Sequence, residues 1–161
     1  MIHNVIMHDG HTMKKKFLII KIFFVYLLLT SNVTAKQSAY LTEGIKHFEK
    51  KEFEKSKFFF EKDIVFDPKS EKSYLYLAKI FKKDENDEEQ EINLNNVLLI
   101  NPKNDEAIYM LTLLKIKQSD YKRARELIDT FVLVCKDLCS KKKEIKEKFK
   151  KLKPENAKNN N

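Results

Sequence analysis

Pro68 and Pro102 stand 34 residues apart, each behind a short polar side chain, Asp67 and Asn101. Stepping along the chain by that period brings like residues into register. Phe60, Leu94 and Ile128 form one column, Ile64, Leu98 and Val132 a second, and Phe66, Ile100 and Val134 a third. Tyr40, Tyr74 and Ile108 align, and Gly44, Ala78 and Thr112 align as small residues. Phe53 meets Tyr121, and Ser56 meets Ala124. A unit that recurs at a fixed period cannot bury its apolar face alone, so the copies must stack on one another. The period therefore predicts a solenoid.

Within each unit the apolar residues recur at helical spacing on either side of a polar turn. The first helices are expected at 38–50, 71–83 and 105–117, and the second at 52–66, 87–100 and 120–135. Asp-Pro and Asn-Pro close the units, because Pro lacks an N–H and disfavours helix in the residue before it. A seventh helix over 138–152 carries Ile145, Phe149 and Leu152 on an otherwise Lys-rich surface. One apolar stripe is what an end cap needs. Two Gly, three Pro and no Trp leave few turn formers for a sheet protein, so the class is all-α. Twelve Phe and six Tyr are too many for a disordered chain.

These columns resemble the tetratricopeptide repeat (TPR) family over roughly Ser38 to Lys136. The third unit, DEAIYMLTLLKIKQSDYKRARELIDTFVLV, carries the resemblance best. The second departs from it, with Asp87 in an aromatic position and Gln90 in a small one, and Asp63 occupies a small apolar position in the first. The resemblance implies an α-solenoid of three TPR helix-turn-helix repeats (37–70, 71–104 and 105–136, within 36–136), a capping helix over 137–153 and a disordered tail over 154–161. It also implies that the first helices line a concave groove. Carried over column by column, that groove comprises Leu41, Ile45, Phe48, Leu75, Tyr76, Lys79, Lys83, Tyr109, Met110, Leu113 and Ile116. The Lys, Asn and Arg with which some TPR modules grip a terminal carboxylate are replaced by Leu41, Ile45, Tyr76, Glu106 and Met110. An apolar peptide or amphipathic helix is the expected partner.

The chain begins with an address. Residues 1–12 read as upstream sequence before Met13, and 13–35 as a signal peptide or signal anchor. Lys14, Lys15 and Lys16 precede the apolar run Phe17–Thr30, broken only by Lys21. Val33 and Ala35 are spaced as in a cleavage site, which would release a chain beginning at Lys36. The 14-residue run is shorter than the ~20 residues that span a bilayer. Export to a periplasm or cell envelope is the expectation, with inner-membrane anchoring facing the periplasm if the segment is retained.

The net charge of +8 does not argue for nucleic acid. The leader contributes +3 and Lys136–Lys153 contributes +6, so the repeats are near neutral. Only Arg123 and Arg125 are Arg, the residue that phosphate and guanine forks favour. Catalytic parts are equally scarce. Past the leader His47 is the only His and Gly44 the only Gly, so neither a phosphate loop nor a nucleophile with its base is legible. Cofactor, metal and catalytic residue are all absent from this reading, and His8 and His11 flank a helix-breaking Gly10. Cys135 and Cys139, the only cysteines, admit a disulfide stapling the third repeat to the cap if the helix breaks near 136–138. The alternative is two small apolar residues packed under the last helix. The expected function is a non-enzymatic scaffold or chaperone-like adaptor of a bacterial cell envelope, or a membrane-tethered assembly factor if the leader stays. Oligomeric state is not legible.

Overall fold

The computed structural model describes residues 38–152 and Lys21. The leader, the cleavage site at Ala35–Lys36 and the 154–161 tail lie outside the described residues. Among the described residues seven α-helices follow one another: α1 (Ala39–Glu49), α2 (Phe53–Phe66), α3 (Glu71–Lys83), α4 (Asp87–Ile100), α5 (Asp105–Lys117), α6 (Tyr121–Val134) and α7 (Lys142–Leu152). A 3-10 turn, Cys139–Lys141, leads into α7. The architecture is an all-α solenoid of three helix-turn-helix repeats with a C-terminal capping helix. Each helix packs on the next, while α1 also touches α3 and α5 touches α7.

The period is written into the backbone. Lys51, Glu85 and Ser119 have φ of 62°, 57° and 61°, in the left-handed region, and they lie 34 residues apart. At each, the same capping pattern closes the first helix. Asn86 N–H donates to Phe81 O at 2.9 Å, and Glu52 N–H to His47 O and Asp120 N–H to Lys115 O at the same distance. Such a six-to-one bond with a left-handed residue satisfies carbonyls that a helix end leaves open. Side-chain caps start four of the helices. Ser38, Asn86, Asn104 and Asp120 accept amides of the first turns of α1, α4, α5 and α6.

The Phe60–Leu94–Ile128 column forms the core, the Ile64–Leu98–Val132 column is half-buried beside it, and Phe66 of the third column, at the end of α2, is 72% exposed. Phe60 and Leu94 are fully buried and Ile128 nearly so. Leu77, Leu111 and Ile145 form another such column at the same period, the last of them in α7. The capping helix therefore occupies the register of the first helix of a further repeat. It begins later than the sequence suggests because 136–138 are diverted to hold Asp105.

Two of the positions that depart from the TPR pattern, Asp63 and Asp87, are polar crosslinks, and Glu71 and Asp105 make others. Asp63 is buried, and Ser70 and Ser73 donate their hydroxyls to its Oδ2 at 2.5 and 2.6 Å. Glu71 Oε1 accepts from Asn101 (2.9 Å) and Asn104 (2.5 Å), and Asp105 accepts from the last junction. Asp87 pairs with Lys117 at 2.7 Å. A buried carboxylate is tolerated only where donors replace its water. Asp63, Asp87 and Asp105 each fasten a repeat to the segment that follows it, whereas Glu71 ties the start of the second repeat to that repeat's own closing turn.

Candidate peptide-binding groove

The face built from α1, α3, α5 and α7 collects the groove residues but does not leave all of them open. Leu41, Met110 and Ile116 are only 8%, 6% and 4% exposed. Leu41 and Ile116 are turned between neighbouring helices into the core, while Met110, though as fully covered, still contributes to the wall of a hollow on this face. Ile45, Phe48, Leu75, Tyr76, Lys79, Tyr109 and Leu113 are half-buried, and Lys83 is exposed.

The half-buried aromatic residues form a continuous chain of rings. Phe53 meets Phe48 edge-on at 5.5 Å, Phe48 meets Tyr76 at 4.9 Å, and Tyr76 stacks on Phe60 at 4.9 Å. Two lysines lie over it: Lys83 is 4.5 Å from the Phe53 ring and Lys79 is 5.0 Å from that of Tyr76. Cation–π contact of this kind holds a lysine near an apolar wall without neutralising it. Lys79 also pairs with Glu106 at 2.9 Å.

At the other end of the same face is a hollow of about 420 Å³. Met110, Leu113 and Leu114 contribute apolar lining and Lys82, Lys117 and Lys148 basic lining, with Glu85, Asp87 and Gln90 completing the wall. Lys117 is occupied by Asp87, whereas Lys82 and Lys148 have no ion pair among the described residues. The sequence reading missed Lys82, Lys117 and Lys148. Lys117 was legible, since it follows Lys83 by 34 residues. Lys148 follows Leu114 by the same step, but that register has meaning only once α7 is seen as a fourth first helix.

Tyr109 does double duty. Its Oη donates to Glu144 Oε1 at 2.9 Å, tying α5 to α7, and its ring lies 5.9 Å from that of Phe131. Burial and then the Glu144 carboxylate push its hydroxyl up to about 12. His47 has been absorbed locally. Its Nδ1 bonds the Glu52 carboxylate and its ring stacks on Phe59 at 5.2 Å. Among the described residues no three His, Cys, Asp or Glu side chains gather as a metal site.

Cys135 and Cys139 form a disulfide with Cα atoms 5.3 Å apart. Cys135 caps α6 with φ −55° and ψ 141°, so the helix is broken and the two residues do not lie on one helical turn.

No family model matches the chain, and no curated protein matches it. Among solved structures, a chain of one described as the CopN-Scc3 complex superposes with a TM-score of 0.59. The match covers 73% of this chain and 78% of that one at 17% sequence identity. That likeness is one of fold, and with the helical repeats it is compatible with a TPR-type architecture.

Proposed function

We propose that the chain is a non-enzymatic scaffold or chaperone-like adaptor. In this reading it takes up an apolar peptide or amphipathic helix along the α1–α3–α5 face. One observation carries it: the run of half-buried Ile45, Phe48, Leu75, Tyr76 and Leu113, ending at a hollow whose Lys82 and Lys148 have no ion pair among the described residues. Partly exposed aromatic and aliphatic residues give contact area, while the lysines favour a partner with carboxylates beside its apolar side chains. That the superposed chain comes from a structure of a complex agrees with a protein partner. The Lys14–Lys16 cluster before Phe17–Thr30 supports export, or tethering if that segment is retained. A mature N-terminus at Lys36 would exclude the tether.

Leu75 and Leu113 are better probes than Tyr109, whose loss would also loosen α7. A photo-crosslinker at Leu113 should capture a partner in cells that the same group at Asn95, on the outer face of α4, does not. Leu75→Glu with Leu113→Glu should abolish that capture while helicity is retained. Equal capture from both positions, or capture that survives the double substitution in a folded protein, would sink the groove reading.

A further inference from the structure

The junction before α7 is built unlike the two before it. In the turns after α2 and α4 the side chain preceding Pro closes the bend. Lys69 N–H donates to Asp67 Oδ1 and Lys103 N–H to Asn101 Oδ1, each at 3.1 Å. In the corresponding columns the third junction has Cys135 and Lys136, so neither the accepting side chain nor the proline is present. A disulfide between Cys135 and Cys139 closes the bend instead. Inside that ring the amides of Lys136, Asp137 and Leu138 all point at one atom. Asp105 Oδ2 accepts them at 2.8, 2.8 and 3.0 Å. Successive amides converging in this way form an anion nest, here filled by a carboxylate from the start of α5.

The helix that this ring holds is otherwise thinly attached. Ile145 is its one buried side chain among 142–151, with Phe149 half-buried beside Tyr121 and Glu144 bonded to Tyr109 at the surface. Cys135 and Cys139 are themselves only half-buried, within reach of a small thiol.

We propose that the Cys135–Cys139 ring is a redox latch on the capping helix. Oxidised, it presents three amides to Asp105 and clamps α7 over the end of the last repeat. A dithiol reductant supplies two electrons. The S–S bond breaks, each sulfur takes a proton to become a thiol, and the reductant closes to its own disulfide. Residues 136–138 then regain backbone freedom, the nest disperses, and α7 leaves the face it covers. Because Lys148 lines the hollow beside Met110 and Leu113, release also opens that end of the groove.

Hydrogen exchange read by mass spectrometry on the full-length chain tests this, with and without tris(carboxyethyl)phosphine as a non-thiol reductant. On reduction the amides of 136–138 and of α7 should exchange at least ~10-fold faster while α1 to α4 are unchanged. Glutathione disulfide should restore the slow rate. Cys135→Ser with Cys139→Ser should match the reduced protein and ignore the reductant. Asp105→Asn, with its disulfide intact, should free 136–138 even when oxidised. Unchanged protection of α7 on reduction, loss of protection in every helix together, or normal protection of 136–138 in Asp105→Asn would each overturn the latch.

Discussion

The ring of Phe60 occupies the space where a side chain on Gly44 would be. A Cβ built on Gly44 would lie 2.5 Å from Phe60 Cε1 and 2.7 Å from Cδ1. In the next two repeats the same pair is Ala78 with Leu94 and Thr112 with Ile128. The largest core residue of its column is thus matched to the smallest crossing residue, and Ser56 Oγ donates to Gly44 O at 2.8 Å at the same crossing. Gly44→Ala should destabilise the protein by about 1–3 kcal/mol, the cost of overpacking. Adding Phe60→Leu should recover part of that loss, as the second repeat already pairs Ala with Leu. Urea unfolding of the three proteins decides it, and an unchanged midpoint for Gly44→Ala would refute the fit.

Lys51, Glu85 and Ser119 carry side chains in a backbone region that disfavours them. The left-handed conformation costs about 1–2 kcal/mol for an ordinary residue, against a smaller entropic loss for Gly. Each residue changed singly to Gly should therefore raise stability by about 0.5–1 kcal/mol. A rise in the thermal midpoint at all three is expected, with no change in helicity.

Asp63 and Asp105 should shape the acid limb of stability. Burial pushes the Asp63 carboxyl up, but the hydroxyl donors around it, with Ser70 and Ser73 bonded to Oδ2, outweigh burial and hold it below the usual carboxylate range. Asp105 is likewise pushed up by burial and held down by the amides of Leu138, Lys136, Asp137 and Glu106. A depressed folded pKa gives stabilisation that is complete above the unfolded value and is lost as pH falls through the folded one. Stability should thus decline below about pH 4, and Asp63→Asn should have a flatter profile there, at a cost of about 1–3 kcal/mol near neutrality. Parallel pH profiles for the two proteins would remove Asp63 from the account.

Val65, Leu99 and Leu133 are 74%, 82% and 84% exposed, at the same 34-residue step. They sit opposite the buried faces of α2, α4 and α6, so nothing in the fold depends on them. Leu99→Lys should change unfolding free energy by less than about 0.5 kcal/mol, whereas Leu94→Ala, in the buried column, should cost about 2–5 kcal/mol. Comparable losses for the two would mean that the outer face is covered.

Helix–turn–helix order, period and the Phe60–Leu94–Ile128 core column were legible because each is a local or near-neighbour property, whereas the apolar Phe66 stays 72% exposed. The limits of α3, α4 and α5 fall at the residues expected from apolar spacing, since caps and turns are encoded within a few positions. Phe58-Phe59-Phe60 was legible only in part. Phe60 belongs to the core column, but that Phe59 stacks on His47 while Phe58 stays half out in solvent depends on which face α1 covers. The groove was the least legible. Column transfer cannot tell a helix face that looks outward from one that a neighbour covers, which is why Leu41 and Ile116 are buried and Met110 shows only its edge to the hollow.

Repetition in the sequence alone determined that this chain stacks helical hairpins, because only stacking buries apolar residues that recur every 34 positions. What the tertiary structure decided was how each junction is pinned. Asp63, Glu71 and Asp105 act on partners 7 to 33 residues away, across helices that meet only in the folded state. Burial raises the cost of an unsatisfied carboxylate, so each is fixed to particular donors that only the fold brings to it. Read in sequence, Asp63 is a departure from a pattern and Asp105 an acidic residue at a helix start. In the solenoid both are fasteners between repeats.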